Sequence, residues 1–271
     1  MIFTLLYADG FFMLSRNFRL QKVGDLQWLK KNYNFSKISF SIDELIILDV
    51  SREERDEESF LDIINSLTEE CFIPIAAGGG INSLEQARQR LYSGADKIVI
   101  NSLIASDQEL IHELASEFGS QCIVVSVDVK KINENFTVWT QSGQTRQKER
   151  LDTWLRKIIK LPVGEIYLNS MDQDGTGQGY DVELLKYLPT SLMTPIILAG
   201  GAGKYQHFAR GLLDAHVDAV ATAHLFNFVG DGLEMARNKL LEDGFDLARW
   251  NVTEAINMRN IFSKADVNEN K

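Results

Sequence analysis

The glycine pair that closes PIAAGGGI, Gly78-Gly79, returns 122 residues later as Gly200-Gly201 in PIILAGGAGK. Asp96 in GADKIVIN returns at the same offset as Asp218 in HVDAVATA, and DELIILD, from Asp43, is answered by GEIYLNS, from Gly164, after 121 residues. Chance could give one such match between apolar strands, whereas three in register mark a duplicated unit. The chain therefore has to fold as two similar halves.

Short apolar runs alternate with amphipathic stretches from end to end. Candidate strands are Ile2–Tyr7, Glu44–Val50, Ile73–Ala77, Lys97–Asn101, Cys122–Val129, Glu165–Ser170, Pro195–Leu198 and Ala219–Ala223. They are rich in Ile, Val and Leu without strict alternation, as strands buried on both faces are. Between them Phe60, Ile63, Ile64 and Leu67 fall at helical spacing. Ser83 with Gln86, and Ser106 with Glu109, read as capping boxes, and Gly94 and Gly119 stand where helices stop. Eight βα units in 271 residues amount to about one per 34, the density of a (β/α)8 TIM barrel. The expected fold is α/β, a barrel of two homologous half-barrels over residues 1–250, followed by a polar C-terminal tail over 251–271. An open doubly wound sheet with two crossovers is the alternative that the same alternation permits.

With 45% apolar and 24% charged residues, and no apolar stretch near the roughly 18 residues of a membrane span, the chain is globular. Its start lacks the basic residue and the uninterrupted run of a signal peptide, and Cys71 and Cys122 read as buried reduced thiols, so a cytoplasmic protein is expected. A net charge of −10 disfavours nucleic acid and anionic membrane as partners. A small phosphorylated ligand held by backbone amides is compatible with it.

In a barrel the residues that close each strand meet the ligand. Gly78-Gly79-Gly80 before Ile81-Asn82-Ser83, and Gly200-Gly201-Ala202-Gly203 in the other half, offer backbone N–H groups to an anion at a helix start. Two equivalent cradles suit a ligand with a phosphate at each end. Asp128 closes the fifth strand and is the candidate general acid or base. Its repeat counterpart is Leu6, which transfers no proton; Asp9, three residues on, is either a partial substitute or the Asp of an Asp-Gly turn. Asp172 and Asp174 sit in a loop that presents carboxylates and amides to a ligand, without the Glu of a calcium loop. Asp181 reads as a helix cap, and of four scattered histidines only His224 is placed to meet a ligand. No metal and no cofactor are indicated. The charged run REERDEESF, Arg52–Phe60, reads as a solvated helix face.

The motifs IDELIILDV, PIAAGGGI, GADKIVINS, FGSQCIVVSVDVK, GEIYLNSMDQDGTGQGYD, PIILAGGAGK and His207-Phe208 together resemble the cyclase subunit family of imidazole glycerol phosphate synthase, the histidine-biosynthetic (β/α)8 barrels, from Ile2 to Trp250. The resemblance implies a heterodimer in which a glutaminase subunit docks on the N-terminal face. Ammonia then travels through the barrel to a bisphosphorylated substrate on the C-terminal face. It places phosphate contacts near Gly79, Gly80, Asn101, Gly175, Gly201 and Gly203, beside Asp174 and His224 read above as facing a ligand, with the general acid at Asp128 and three of four residues of an ammonia gate at Glu44, Lys97 and Glu165.

Departures accompany the match. The family's other catalytic Asp aligns with Leu6, a phosphate-side Lys with Leu14, a phosphate-contacting Ser with His224, and the gate's Arg falls before Met1. LLYADG, KVGD and EECFIPI resemble a paralogous branch tied to acetamidino modification of surface-polysaccharide sugars, in which a sugar amidotransferase acts alongside. The leading expectation is such an ammonia-receiving subunit. An authentic imidazole glycerol phosphate synthase with Asp9 recruited as base, and a non-catalytic glutaminase activator and ammonia conduit, are the alternatives.

Overall fold

Strands without polar alternation are stable only when both faces are covered, and closure of the sheet meets that demand. The computed structural model describes residues 1–33 and 35–249, so the tail expected at 251–271 lies outside the described residues. In chain order its strands are β1 (Ile2–Ala8), β2 (Phe11–Arg16), β3 (Arg19–Gly24), β4 (Glu44–Asp49), β5 (Ile75–Gly78), β6 (Lys97–Ile100), β7 (Ile123–Ile132), β8 (Asn135–Thr140), β9 (Thr145–Arg150), β10 (Glu165–Ser170), β11 (Ile196–Ala199) and β12 (Ala219–Thr222). Parallel pairing runs β1, β4, β5, β6, β7, β10, β11, β12 and returns to β1, which closes an eight-stranded barrel. The open sheet is thereby excluded, and each of the eight expected runs is a barrel strand.

Inside the barrel Ile2, Ile46, Ala76, Val99, Val124, Tyr167, Ile197 and Ala221 pack on one another. A larger core that includes Phe3, Leu45, Phe60, Ile64, Leu114 and Phe208 lies between strands and helices. The two halves use the repeated aspartates in the same way: Asp96 accepts from the Ile75 amide and Asp218 from the Ile196 amide, each at 2.9 Å. These carboxylates tie the start of the preceding strand, a structural duty.

Most helix signals hold. Asp56 caps Glu57–Thr68, Ser83 caps Leu84–Tyr92 through the Gln86 amide at 3.3 Å, and Gly94 and Gly119 turn with positive φ just past helix ends. The expected box at Ser106 is corrected by one residue: Asp107, a stronger acceptor, caps Gln108–Phe118 through the Leu110 amide at 3.0 Å. Asp181 accepts from the Glu183 amide at 3.2 Å ahead of Val182–Tyr187, a 3-10 segment. Two hairpins were not foreseen. The chain folds back after β1 as β2 and β3, and after β7 as β8 and β9, so the first strand of each half carries an antiparallel flap over the barrel mouth. Among the described residues no helix is long and apolar enough to cross a membrane.

Candidate functional site

A cavity of about 600 Å3 opens at the C-terminal ends of the barrel strands, beneath the two hairpins. The register of the strands fixes what faces what. Asp128 pairs with Asn169, and Leu6 pairs with Leu48, so Leu6 occupies in β1 the place that Asp128 holds in β7. Both line the cavity.

Asp128 is buried at the mouth of the barrel, where Asn169 donates to Oδ1 at 2.9 Å and Asn101 to Oδ2 at 3.2 Å. Burial pushes its carboxyl up to about 7, against the Asn169 hydrogen bond and helped by the charge of Asp174. At neutral pH such a group is divided between acid and base, the condition for proton transfer in either direction. Asp174, also raised by burial, accepts from Ser15 Oγ at 2.5 Å and from the Phe18 amide at 3.0 Å, which anchors the first hairpin to the second half-barrel. His224 lines the same end of the cavity, and burial lowers its pKa while Asp174 opposes the shift.

The glycine cradles are built by carbonyls tied away from the ligand. The buried Arg90 donates to the Gly79 carbonyl at 2.8 Å, and the Gly179 amide donates to the Gly201 carbonyl at 2.8 Å. A trans peptide sets its N–H opposite its C=O, so the next amides, Gly80 and Ala202, are turned toward the cavity that both residues line. Gly79 and Gly201 have φ of +110° and +105°, and a Cβ at either would lie 2.2 Å from a backbone oxygen, of Asp49 and Gly179 respectively.

Of the residues singled out in the sequence, Gly79, Gly80, Asn101, Asp128, Asp174, Gly175, Gly201 and His224 line this one cavity. Two do not. Gly203 is outside the wall: its amide donates to His207 Nδ1 at 3.1 Å and its carbonyl accepts from Asn227 Nδ2 at 3.0 Å. Asp9 is exposed at φ 52° in the two-residue turn that starts the first hairpin, beyond the cavity wall, which favours the turn over the recruited base. Asp172 accepts from the Lys131 amide at 2.7 Å, a loop-ordering role.

Other wall residues escaped sequence reasoning. The run Arg52–Phe60 reads as a solvated helix face, yet the helix begins only at Glu57, and Arg52 and Arg55 line the cavity from the loop after β4. Ser15, Tyr167 and Asn169 also line the wall; of the three, Asn169, at the end of a repeated strand, carries a usable sequence signal.

At the opposite, N-terminal end, Lys97 Nζ donates to Glu44 Oε2 at 2.7 Å and to Glu165 at 2.9 and 3.0 Å. Burial pulls the Lys97 amine down, but the two carboxylates more than offset it and hold it above its ordinary value. Burial raises Glu44, and its Oε1 has no hydrogen-bond partner among the described residues. Beside it the Met1 amine meets Asp43 Oδ2 at 2.5 Å, and Arg237 grips the same carboxylate.

A closed barrel with matched glycine turns and the buried carboxyl of Asp128 at its C-terminal mouth defines a duplicated (β/α)8 barrel protein. Residues 27–230 match the family model described as histidine biosynthesis protein, and the chain belongs to that family. It is 44% identical over 250 residues, 92% of this chain and 93% of the relative, to a Parasynechococcus marenigrum (strain WH8102) protein provisionally named imidazole glycerol phosphate synthase subunit hisF2. It is 41% identical over 202 residues, 74% of this chain and 80% of the relative, to imidazole glycerol phosphate synthase subunit HisF of Chlorobaculum tepidum (strain ATCC 49652 / DSM 12025 / NBRC 103806 / TLS). The identity to subunit HisF of Chloroherpeton thalassium (strain ATCC 35110 / GB-78) is also 41%, over 204 residues, with 74% and 80% covered.

Proposed function

We propose that the chain is a synthase-type subunit of a glutamine amidotransferase complex. It takes ammonia from a glutaminase at the N-terminal face and uses it at the C-terminal cavity on a ligand phosphorylated at both ends. The observation that carries the reading is Asp128, a buried carboxyl that its burial pushes up to about 7, on the wall of the cavity that both glycine turns also line. Relatives named as subunits of imidazole glycerol phosphate synthase support it.

The barrel axis has the chemistry of a filter. Lys97 with Glu44 and Glu165 guards one end, and beyond them the lumen is walled by Ile2, Ala76, Val124 and Ile197. An ammonium ion entering that apolar stretch loses its hydration without a partner, whereas neutral ammonia loses far less. Around the same face the helix ends and helix-to-strand loops expose Phe72, Tyr92, Met193 and Leu213, at 73, 83, 91 and 76%. Apolar side chains grouped on one face suit a partner subunit, and the glutaminase is the partner this reading assigns.

Leu6 opposite Asp128 leaves one acid–base carboxylate where the resembled cyclases have two, which favours the finer role of supplying ammonia for an acetamidino sugar, with a sugar amidotransferase downstream. The identity to subunits named HisF favours authentic formation of imidazole glycerol phosphate. Purified protein given an ammonium salt and the ribulosyl aminoimidazole carboxamide ribonucleotide precursor separates the two. Turnover abolished by Asp128→Asn establishes the synthase. No turnover, with stimulation of a co-purified glutaminase, establishes ammonia supply, and loss of both effects sinks the reading as a whole.

A further inference from the structure

The two cradles share a backbone and differ in charge. Arg55 stands beside the first and Arg52 lines the same cavity, and the repeat places Gln173 and Thr176 at the corresponding positions of the second half, 121 residues on. Arg55 runs over Gly80: a Cβ added there would come within 2.9 Å of its Cδ and Nε and 3.1 Å of Cζ. Its position is set by Asp49, whose Oδ2 lies 3.4 Å from Nε, and by Nη2 donating to the Ser51 carbonyl at 2.8 Å. That Nε is buried and makes no hydrogen bond among the described residues. Arg52 Nη2 donates to the Phe18 carbonyl at 2.5 Å, so the second guanidinium is held against the first hairpin. At the other cradle the ionisable wall residues are Asp174 and His224, a carboxylate and an imidazole.

Among the described residues of the cavity wall, Asp49 counted against the two arginines leaves one positive charge at the first end, and the second end has no fixed cation. Guanidinium remains charged at any working pH and its donor fork matches phosphate oxygens. We propose that Arg55 and Arg52 make the Gly79–Gly80 end the anchoring site for a phosphate monoester dianion, and that the Gly201–Ala202 end holds its group more weakly. Charge then sets which way round a two-ended ligand lies, and so which of its ends is presented with Asp128 between them. The inference rests on reading the cavity as a two-ended phosphate site.

Inorganic phosphate titrated into nitrogen-15-labelled full-length protein tests it, with the Gly80 and Ala202 amide resonances reporting each end. The Gly80 midpoint is expected at a phosphate concentration at least about tenfold below that of Ala202. Arg52→Gln with Arg55→Gln should raise the Gly80 midpoint about tenfold and leave that of Ala202 within about twofold. Arg52→Gln alone changes an exposed side chain, and should weaken the Gly80 end by about threefold if the double variant fails to fold. Equal midpoints in the unaltered protein, or equal weakening at both ends, overturn the inference and leave the two-ended reading standing. If neither amide responds to phosphate, both fall.

Discussion

In the first half-barrel Gly79 turns at φ +110° with its carbonyl held by Arg90; in the second Gly201 turns at +105° with its carbonyl held by the Gly179 amide. Asp96 and Asp218 hold the neighbouring strand at the same distance. Side chains that point at the ligand or the lumen follow no such rule. Leu6 answers Asp128, Arg55 answers Thr176, and Lys97 answers Ala219, while Glu44 and Glu165 stay matched. Closing a barrel over-determines the strand ends, so the same backbone turn persists in both halves. A cavity side chain has few neighbours to satisfy, and chemistry can be concentrated in one half.

The largest effect should come from the carboxylate that has no counterpart. Asp128→Asn keeps the shape but accepts only one of the two amide hydrogen bonds, from Asn101 or from Asn169, and cannot exchange a proton. Loss of a positioned acid–base group costs about 10²–10⁴ in rate. Ammonium-dependent turnover of a phosphorylated substrate should fall by that factor, and an unchanged rate would free Asp128 of any chemical role.

At the lumen entrance one lysine serves two carboxylates. Lys97→Met leaves Glu44 and Glu165 facing each other without a cation. Breaking a buried pair costs about 3–5 kcal/mol. With Lys97 and Glu165 each about a fifth exposed, 20 and 24%, a loss of about 2–3 kcal/mol in denaturant unfolding at pH 7 is expected. A smaller loss in acid, once the carboxylates are protonated, would identify repulsion as its source.

The sequence disclosed what the barrel repeats and concealed what it does once. Eight strands and both glycine cradles were legible because burial on two faces and positive φ each leave a compositional mark. The hairpins were not. Asn17-Phe18 and Asn133-Glu134 turn at positive φ without glycine, and β9, TRQKER, is polar enough to pass for loop. Arg52 and Arg55 were misplaced because the charged run straddles a helix start: Asp56 caps the helix, so residues before it belong to the strand-end loop. Leu6 was legible as a departure from the repeat, and strand register agrees with it: Leu6 pairs with Leu48 as Asp128 pairs with Asn169, 121 residues after Leu48.

Stability should carry a trace of the same asymmetry. The folded chain raises the Asp128 carboxyl from 3.8 to about 7, so the charged form is disfavoured by folding. The stability this contributes is full below about pH 4 and is lost as pH rises through about 7. Asp128→Asn carries no such charge. Relative to the unaltered protein the variant should gain about 1–3 kcal/mol in unfolding free energy between pH 5 and pH 8. Parallel pH profiles would mean that Asp128 titrates in the fold as it does unfolded.

The smallest predicted difference tests whether the two glycine frames are as alike in rigidity as in shape. A Cβ at Gly79 or Gly201 meets a backbone oxygen at 2.2 Å in both cases, and each substitution by alanine adds the strain of a positive φ. Together these cost on the order of 1–3 kcal/mol. What differs is the ability to yield. The Asp49 oxygen ends a barrel strand paired to β1, whereas the Gly179 oxygen belongs to a loop in which Gly175, Gly177 and Gly179 all turn at positive φ. That loop can give by a few tenths of an ångström at less cost than a strand end. Gly79→Ala should therefore destabilise by about 0.5–1 kcal/mol more than Gly201→Ala in matched urea titrations. Equal costs would show that the loop after β10 is held as firmly as the barrel.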